Sequence, residues 1–132
     1  MQNNPFNKII KDKLEEVMIQ IKEFLENDCI HFLETKKNIE TSRTIRRDLG
    51  ITHDDFMDEI KEAISNLSIK NYFQGPEQDH NEKRDLIFWI FGIKIFKNKE
   101  IYLKFSITEK EGQDVICWSY HFPEKTIIYP FK

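Results

Sequence analysis

Residues 100–122 read EIYLKFSITEKEGQDVICWSYHF, two alternating runs joined by a polar turn that contains one glycine. In the first run Ile101, Leu103, Phe105 and Ile107 fall on one side of an extended chain, and Tyr102, Lys104 and Ser106 on the other, because successive strand side chains point to opposite faces. In the second run Ile116, Trp118, Tyr120 and Phe122 form the bulkier set, opposed by Cys117, Ser119 and His121. The connection from Glu109 to Gln113 is short enough to demand an antiparallel hairpin. Both bulky sets must share a face, since a one-residue slip would send one of them into solvent. A turn centred between Glu111 and Gly112 then sets Tyr102 opposite His121, Lys104 opposite Ser119 and Ser106 opposite Cys117. Cross-strand partners have Cβ atoms only about 4.5–5.5 Å apart, so a phenol, an ammonium, an imidazole and a hydroxyl gather on the less apolar face.

Upstream of this hairpin, Leu86 to Phe96 is almost wholly apolar and reads as a strand covered on both faces, in or near the middle of the sheet, with Asn98-Lys99 as its turn. The residues before it are helical in texture. Asn4-Pro5 opens a helix that runs to about Glu26 with an apolar stripe from Ile9 to Leu25. Cys29 to Leu33 is a candidate edge strand, Asn38 to Leu49 a second helix stopped by Gly50, and Thr52 with Asp55 the capping pair of a third helix ending near Asn66. Ser68 opens a single turn through Phe73, and Gly75-Pro76 starts a polar loop over 74–85. The expectation is one α+β domain over 1–132, mainly helical over 1–73, with antiparallel strands over 86–132 and the helices packed on a small antiparallel sheet.

Composition narrows the function classes. With 39% hydrophobic, 33% charged and 13% aromatic residues, the 132-residue chain has too much packing material for disorder and is too polar for a membrane protein. Four glycines are too few for a glycine-rich phosphate loop in a dinucleotide or P-loop fold. The net charge of −3 argues against a non-specific nucleic-acid coat, yet basic residues number 7 against 5 acidic over 86–132, and 13 against 18 over 1–85. A polyanion would therefore meet the C-terminal third. Cys29 and Cys117 stand 88 positions apart, and His31, His53, His80 and His121 are scattered, which suits reduced thiols in a cytoplasm and gives neither a metal site nor a cofactor any support. No secretory leader or membrane span is read.

A metal-free ribonuclease needs a group to take the proton from a ribose 2′-hydroxyl, a cation for the charge on the pentavalent phosphate, and an acid for the leaving 5′-oxygen. His121, Lys104 and Tyr102 are of those types, although each also suits an ordinary strand position. Trp89 and Trp118 offer base-stacking rings but sit in apolar runs that favour core packing. Arg43, Arg46 and Arg47 on the second helix could clamp phosphates but read first as a solvated face, and His80 lies in the polar loop.

The stretches LGITHDD (49–55), NLSIKNYFQGPEQD (66–79), FWIFG (88–92), EIYLKFSI (100–107), VICWSYHFP (115–123) and YPFK (129–132) resemble the MqsR family of bacterial type II toxin–antitoxin toxins over about residues 48–132. The resemblance implies a RelE-like fold and a sequence-specific endoribonuclease acting on mRNA, which arrests growth and is held inactive by a cognate antitoxin protein. The ribosome is left open as a further partner. Tyr102 and Lys104 match the family's Y-L-K segment. His121 falls where the best-known member has a C-terminal lysine, Gln74 where it has an active-site lysine and Ile90 where it has a glutamine. The expected roles are His121 as general acid or base, Lys104 as phosphate stabiliser, Tyr102 as proton donor or positioning group, and Gln74 and Ser119 as substrate contacts. The rival expectation is a non-catalytic protein-binding module using the same sheet face.

Overall fold

The apolar stripe of residues 5–26 forms helix α1 (Pro5–Glu26), whose Leu14, Val17, Met18 and Ile21 are buried against the rest of the fold. The computed structural model describes residues 5–78, 86–108 and 114–132. The expected Asn4 cap, His80 and the turn at Glu109 to Gln113 lie outside the described residues.

Helix α2 (Lys36–Leu49) begins two residues before its composition suggests because the Thr35 side chain accepts from the Asn38 backbone N–H at 3.3 Å. It ends at Gly50, left-handed at φ 65°, whose N–H returns to the Arg46 carbonyl. Helix α3 (His53–Ser65) starts with the reciprocal Thr52–Asp55 box, both bonds at 3.1 Å, and buries Phe56, Ile60 and Ile64. A 3-10 turn, Ile69–Asn71, leads into the sheet.

The sheet has five strands, β1 (Ile30–Phe32), β2 (Tyr72–Gln78), β3 (Ile87–Ile95), β4 (Lys99–Ile107) and β5 (Val115–His121), in the order β1-β5-β4-β3-β2. It is mixed, because β1 pairs parallel to β5 while the other pairs are antiparallel. Part of the expected 74–85 loop is therefore a strand. β2 survives Pro76 because an edge strand needs no ladder N–H on its open side, and two register irregularities absorb the misfit. Gly75, at φ 128°, is required there, since a Cβ would come within 2.8 Å of the Phe88 carbonyl oxygen. The β3–β4 hairpin turns at Phe96 to Asn98, slightly earlier than Asn98-Lys99, with left-handed φ of 49° at Phe96 and 75° at Lys97.

The helices cover one face of this sheet, and Trp89, Phe91, Ile93, Leu103, Phe105 and Cys117 are among the side chains that meet them. Parity on β5 differs from strict alternation. Lys104 faces Ser119, but the adjacent Phe105 faces Cys117, so Trp118 is the extra residue of a bulge. The bulge resets the phase, placing Val115, Cys117 and Tyr120 all on the core side. Hence the Tyr102–His121 and Lys104–Ser119 pairs are observed, whereas Ser106 faces Ile116 instead of Cys117. Trp118 lies on the outer face instead of the core, donating from Nε1 to Ser106 Oγ at 2.7 Å and meeting Phe88 edge-on at 5.9 Å.

Beyond Phe32, β5 has no strand on its outer edge, and α2 serves instead. The fully buried Asn38 donates from Nδ2 to the carbonyls of Leu33 (2.9 Å) and Trp118 (3.0 Å), and its Oδ1 accepts from the Tyr120 N–H at 2.9 Å. Thr41 Oγ1 accepts from the Phe122 N–H at 3.1 Å. Among the described residues no helix is long and apolar enough to cross a membrane. Replacing Asn38 with Ala strands three backbone groups, and a buried unpaired group costs about 1–3 kcal/mol, so Asn38→Ala should lower the urea midpoint by an amount equivalent to about 3 kcal/mol or more. A loss below 1 kcal/mol would show that this amide does not hold α2 to β5.

Candidate active site

The outer sheet face presents two adjacent rungs. One runs Gln74, Ile90, Lys104, Ser119 across β2, β3, β4 and β5; the next runs Gly92, Tyr102, His121 across β3, β4 and β5. Gln74, Lys104, Ser119, Tyr102 and His121 all line one cleft of about 430 Å³, so the structure brings the five sequence-expected residues together. Ile90, only 1% exposed, lies in the rung between Gln74 and Lys104.

His121 is almost wholly buried, and its Nδ1 stands 2.8 Å from the Phe122 carbonyl oxygen. A carbonyl only accepts, so Nδ1 carries the hydrogen and the neutral ring keeps its basic lone pair on Nε2. The ring stacks on Tyr102, centroids 5.3 Å apart and planes at 17°. Partial burial, and then the Glu77 carboxylate, push the Tyr102 pKa up, so this phenol stays protonated near neutrality and donates. Lys104 Nζ sits 4.2 Å from the centroid of the Phe88 ring, whose electron-rich face steadies the ammonium. Gln74 Nε2 donates to Glu77 Oε1, which fixes the amide at the β2 side of the cleft.

Four more lining residues had no signal in the sequence. Lys37 comes from the first turn of α2 and pairs with Glu124, tying α2 to the segment after β5; both side chains are mostly exposed, so the pair contributes little stability. Phe73 and Lys125 complete the wall. Lys37, Lys104 and Lys125 outnumber Glu124 among the lining charges, so a chain of net charge −3 concentrates positive charge here. Among the described residues no group of three His, Cys, Asp or Glu side chains could hold a metal ion. Trp89 is buried on the opposite face, and Arg46 donates from Nε to Ser42 Oγ at 3.1 Å, away from the cleft. Arg43 and Arg47 line no part of the cleft either.

All four tyrosines are shifted the same way. Burial is the leading cause at each of Tyr72, Tyr102, Tyr120 (pushed up to about 12) and Tyr129, where the Glu100 carboxylate adds to it. An acid with a raised folded pKa contributes stability that is complete below its unfolded value and is lost as pH rises through the folded one. Phenolate absorbance should therefore be less than half developed at about pH 10, the ordinary tyrosine value, and complete only above it together with loss of stability. A tyrosine ionising at about pH 10 in the intact fold would contradict the buried settings. The chain matches no protein-family model, no curated protein and no solved structure.

Proposed function

We propose that this chain is the toxin of a bacterial type II toxin–antitoxin system, a RelE-like, MqsR-type endoribonuclease that cleaves mRNA without a metal. The observation that carries the reading is the convergence of an imidazole with a free Nε2, a protonated phenol and a lysine on two neighbouring rungs of one concave sheet face.

Single-stranded RNA lies in the cleft with its scissile phosphate toward Lys104. His121 Nε2 takes the 2′-hydroxyl proton, and the 2′-oxygen attacks phosphorus in line. Lys104 meets the charge that grows on the non-bridging oxygens. As the bond to the 5′-oxygen breaks, Tyr102 protonates the leaving group; the phenolate then takes a proton from solvent and the imidazolium returns its proton to solvent, which restores both groups to their starting states. The products are a 2′,3′-cyclic phosphate and a 5′-hydroxyl end. Gln74 and Ser119, on the same rung as Lys104, contact the sugar and base. The growth arrest, cytoplasmic location and cognate antitoxin of this reading follow from the toxin class.

Purified protein incubated with a long synthetic RNA in EDTA should cut at a short recurring motif and leave cyclic phosphate ends. Losing a general acid or base costs about 10²–10⁴-fold, so His121→Ala and Tyr102→Phe should each slow cutting by about 100-fold or more. Absence of cutting both on free RNA and on translating ribosomes would refute the enzyme and leave the face as a protein-binding surface.

A further inference from the structure

The cleft does not end at His121. A second cavity of about 380 Å³ lies beyond it, walled by Glu40, Thr41 and Thr44 of α2 and by Phe122 and Pro123, and it shares Lys37, His121 and Glu124 with the first. Each cavity falls in the volume range of a site for one small ligand. His121 stands at their junction.

Phe122 is set unusually for a phenylalanine. Its backbone is held at both polar groups, the N–H by Thr41 Oγ1 at 3.1 Å and the carbonyl by His121 Nδ1 at 2.8 Å, while its side chain remains 38% exposed at the wall of the second cavity. An exposed aromatic ring on a pinned backbone, one residue from the proposed general base, is a preorganised stacking platform.

Resting on the ribonuclease reading, we infer that the second cavity is a nucleobase site in which Phe122 stacks the base on the far side of the scissile phosphate from the Tyr102 cleft. The substrate is then a single strand read on both sides of the cut. One nucleoside occupies the wall of Gln74, Tyr102 and Ser119, and the phosphate sits between Lys104 and His121. The next base lies against Phe122, with the Thr44 hydroxyl on the cavity wall beside it. Lys37, common to both cavities, is the cation available to the phosphate once it leaves Glu124.

The test uses uncleavable 2′-O-methyl oligoribonucleotides in which one abasic position is moved along the strand, with binding read by fluorescence anisotropy. Base–aromatic stacking implies that wild type loses about tenfold in affinity when the base at the second site is missing. Phe122→Ala should show the same loss on intact strands and no further loss at that abasic position, while the position on the other side of the cut still matters. Phe122→Trp should restore binding. Equal abasic profiles in wild type and Phe122→Ala would overturn the site, as would failure of the wild type to bind any single strand. Binding that follows the expected pattern in a protein that cuts no RNA would support the base site and refute the nuclease.

Discussion

The outer edge of β5 is completed by one side-chain amide. β1 pairs with only three residues of β5, and beyond that point the outer edge of the strand would expose unpaired peptide groups. Asn38 fills the place of a missing strand residue, giving two hydrogen bonds and taking one, all from a fully buried position where unmet polar groups are expensive. Thr41 extends the arrangement to Phe122. Because these bonds are made by the first turns of α2, they also bring Lys37 to the mouth of the cleft. The same contact that completes the edge thus sets the wall opposite Tyr102 and Lys104.

The Trp118 bulge gives the strand its second property. A regular β5 could not bury Cys117 and Tyr120 on the helix side, because residues three apart point to opposite faces. The additional residue reconciles the core with an outer face that carries Ser119 and His121 beside Lys104 and Tyr102. Below them Phe88, Trp118 and Ser106 form a packed layer, with the indole bonded to the buried Ser106 hydroxyl and the Phe88 ring under the Lys104 ammonium. At the far end of that face a Cβ on Gly92 would collide with Ile127 and the Tyr129 ring, so the glycine lets the C-terminal segment close over β3. Tyr129 is held there by Glu100 at 2.8 Å.

Features carried by nearby residues were legible in the sequence. The Thr52–Asp55 box, the Gly50 stop and the edge character of residues 30–32 are local signals, and the observed Tyr102–His121 and Lys104–Ser119 pairs follow from alternation and a hairpin alone. What escaped depends on distant partners or on residues with two meanings. Gly75-Pro76 punctuates loops more often than strands, and its place in β2 is set by the close approach of Phe88. Trp118 carries the bulk of a core residue, and nothing next to it announces that it is the extra one. The parallel β1–β5 pairing and the Lys37–Glu124 pair join residues more than eighty positions apart, beyond any periodicity.

That long reach has a consequence for the order of events during synthesis. The cleft draws its walls from residues 37 to 125, and the strand bearing His121 finds its edge partners near residues 30–38. A nascent chain whose last strand is still inside the ribosome therefore has neither the imidazole nor the surface that orients it. Long-range pairing of this kind is also the slow part of folding, since the closure entropy must be met before the contacts form. The cleft therefore cannot exist until the chain has been made, and released from the ribosome, as far as Lys125.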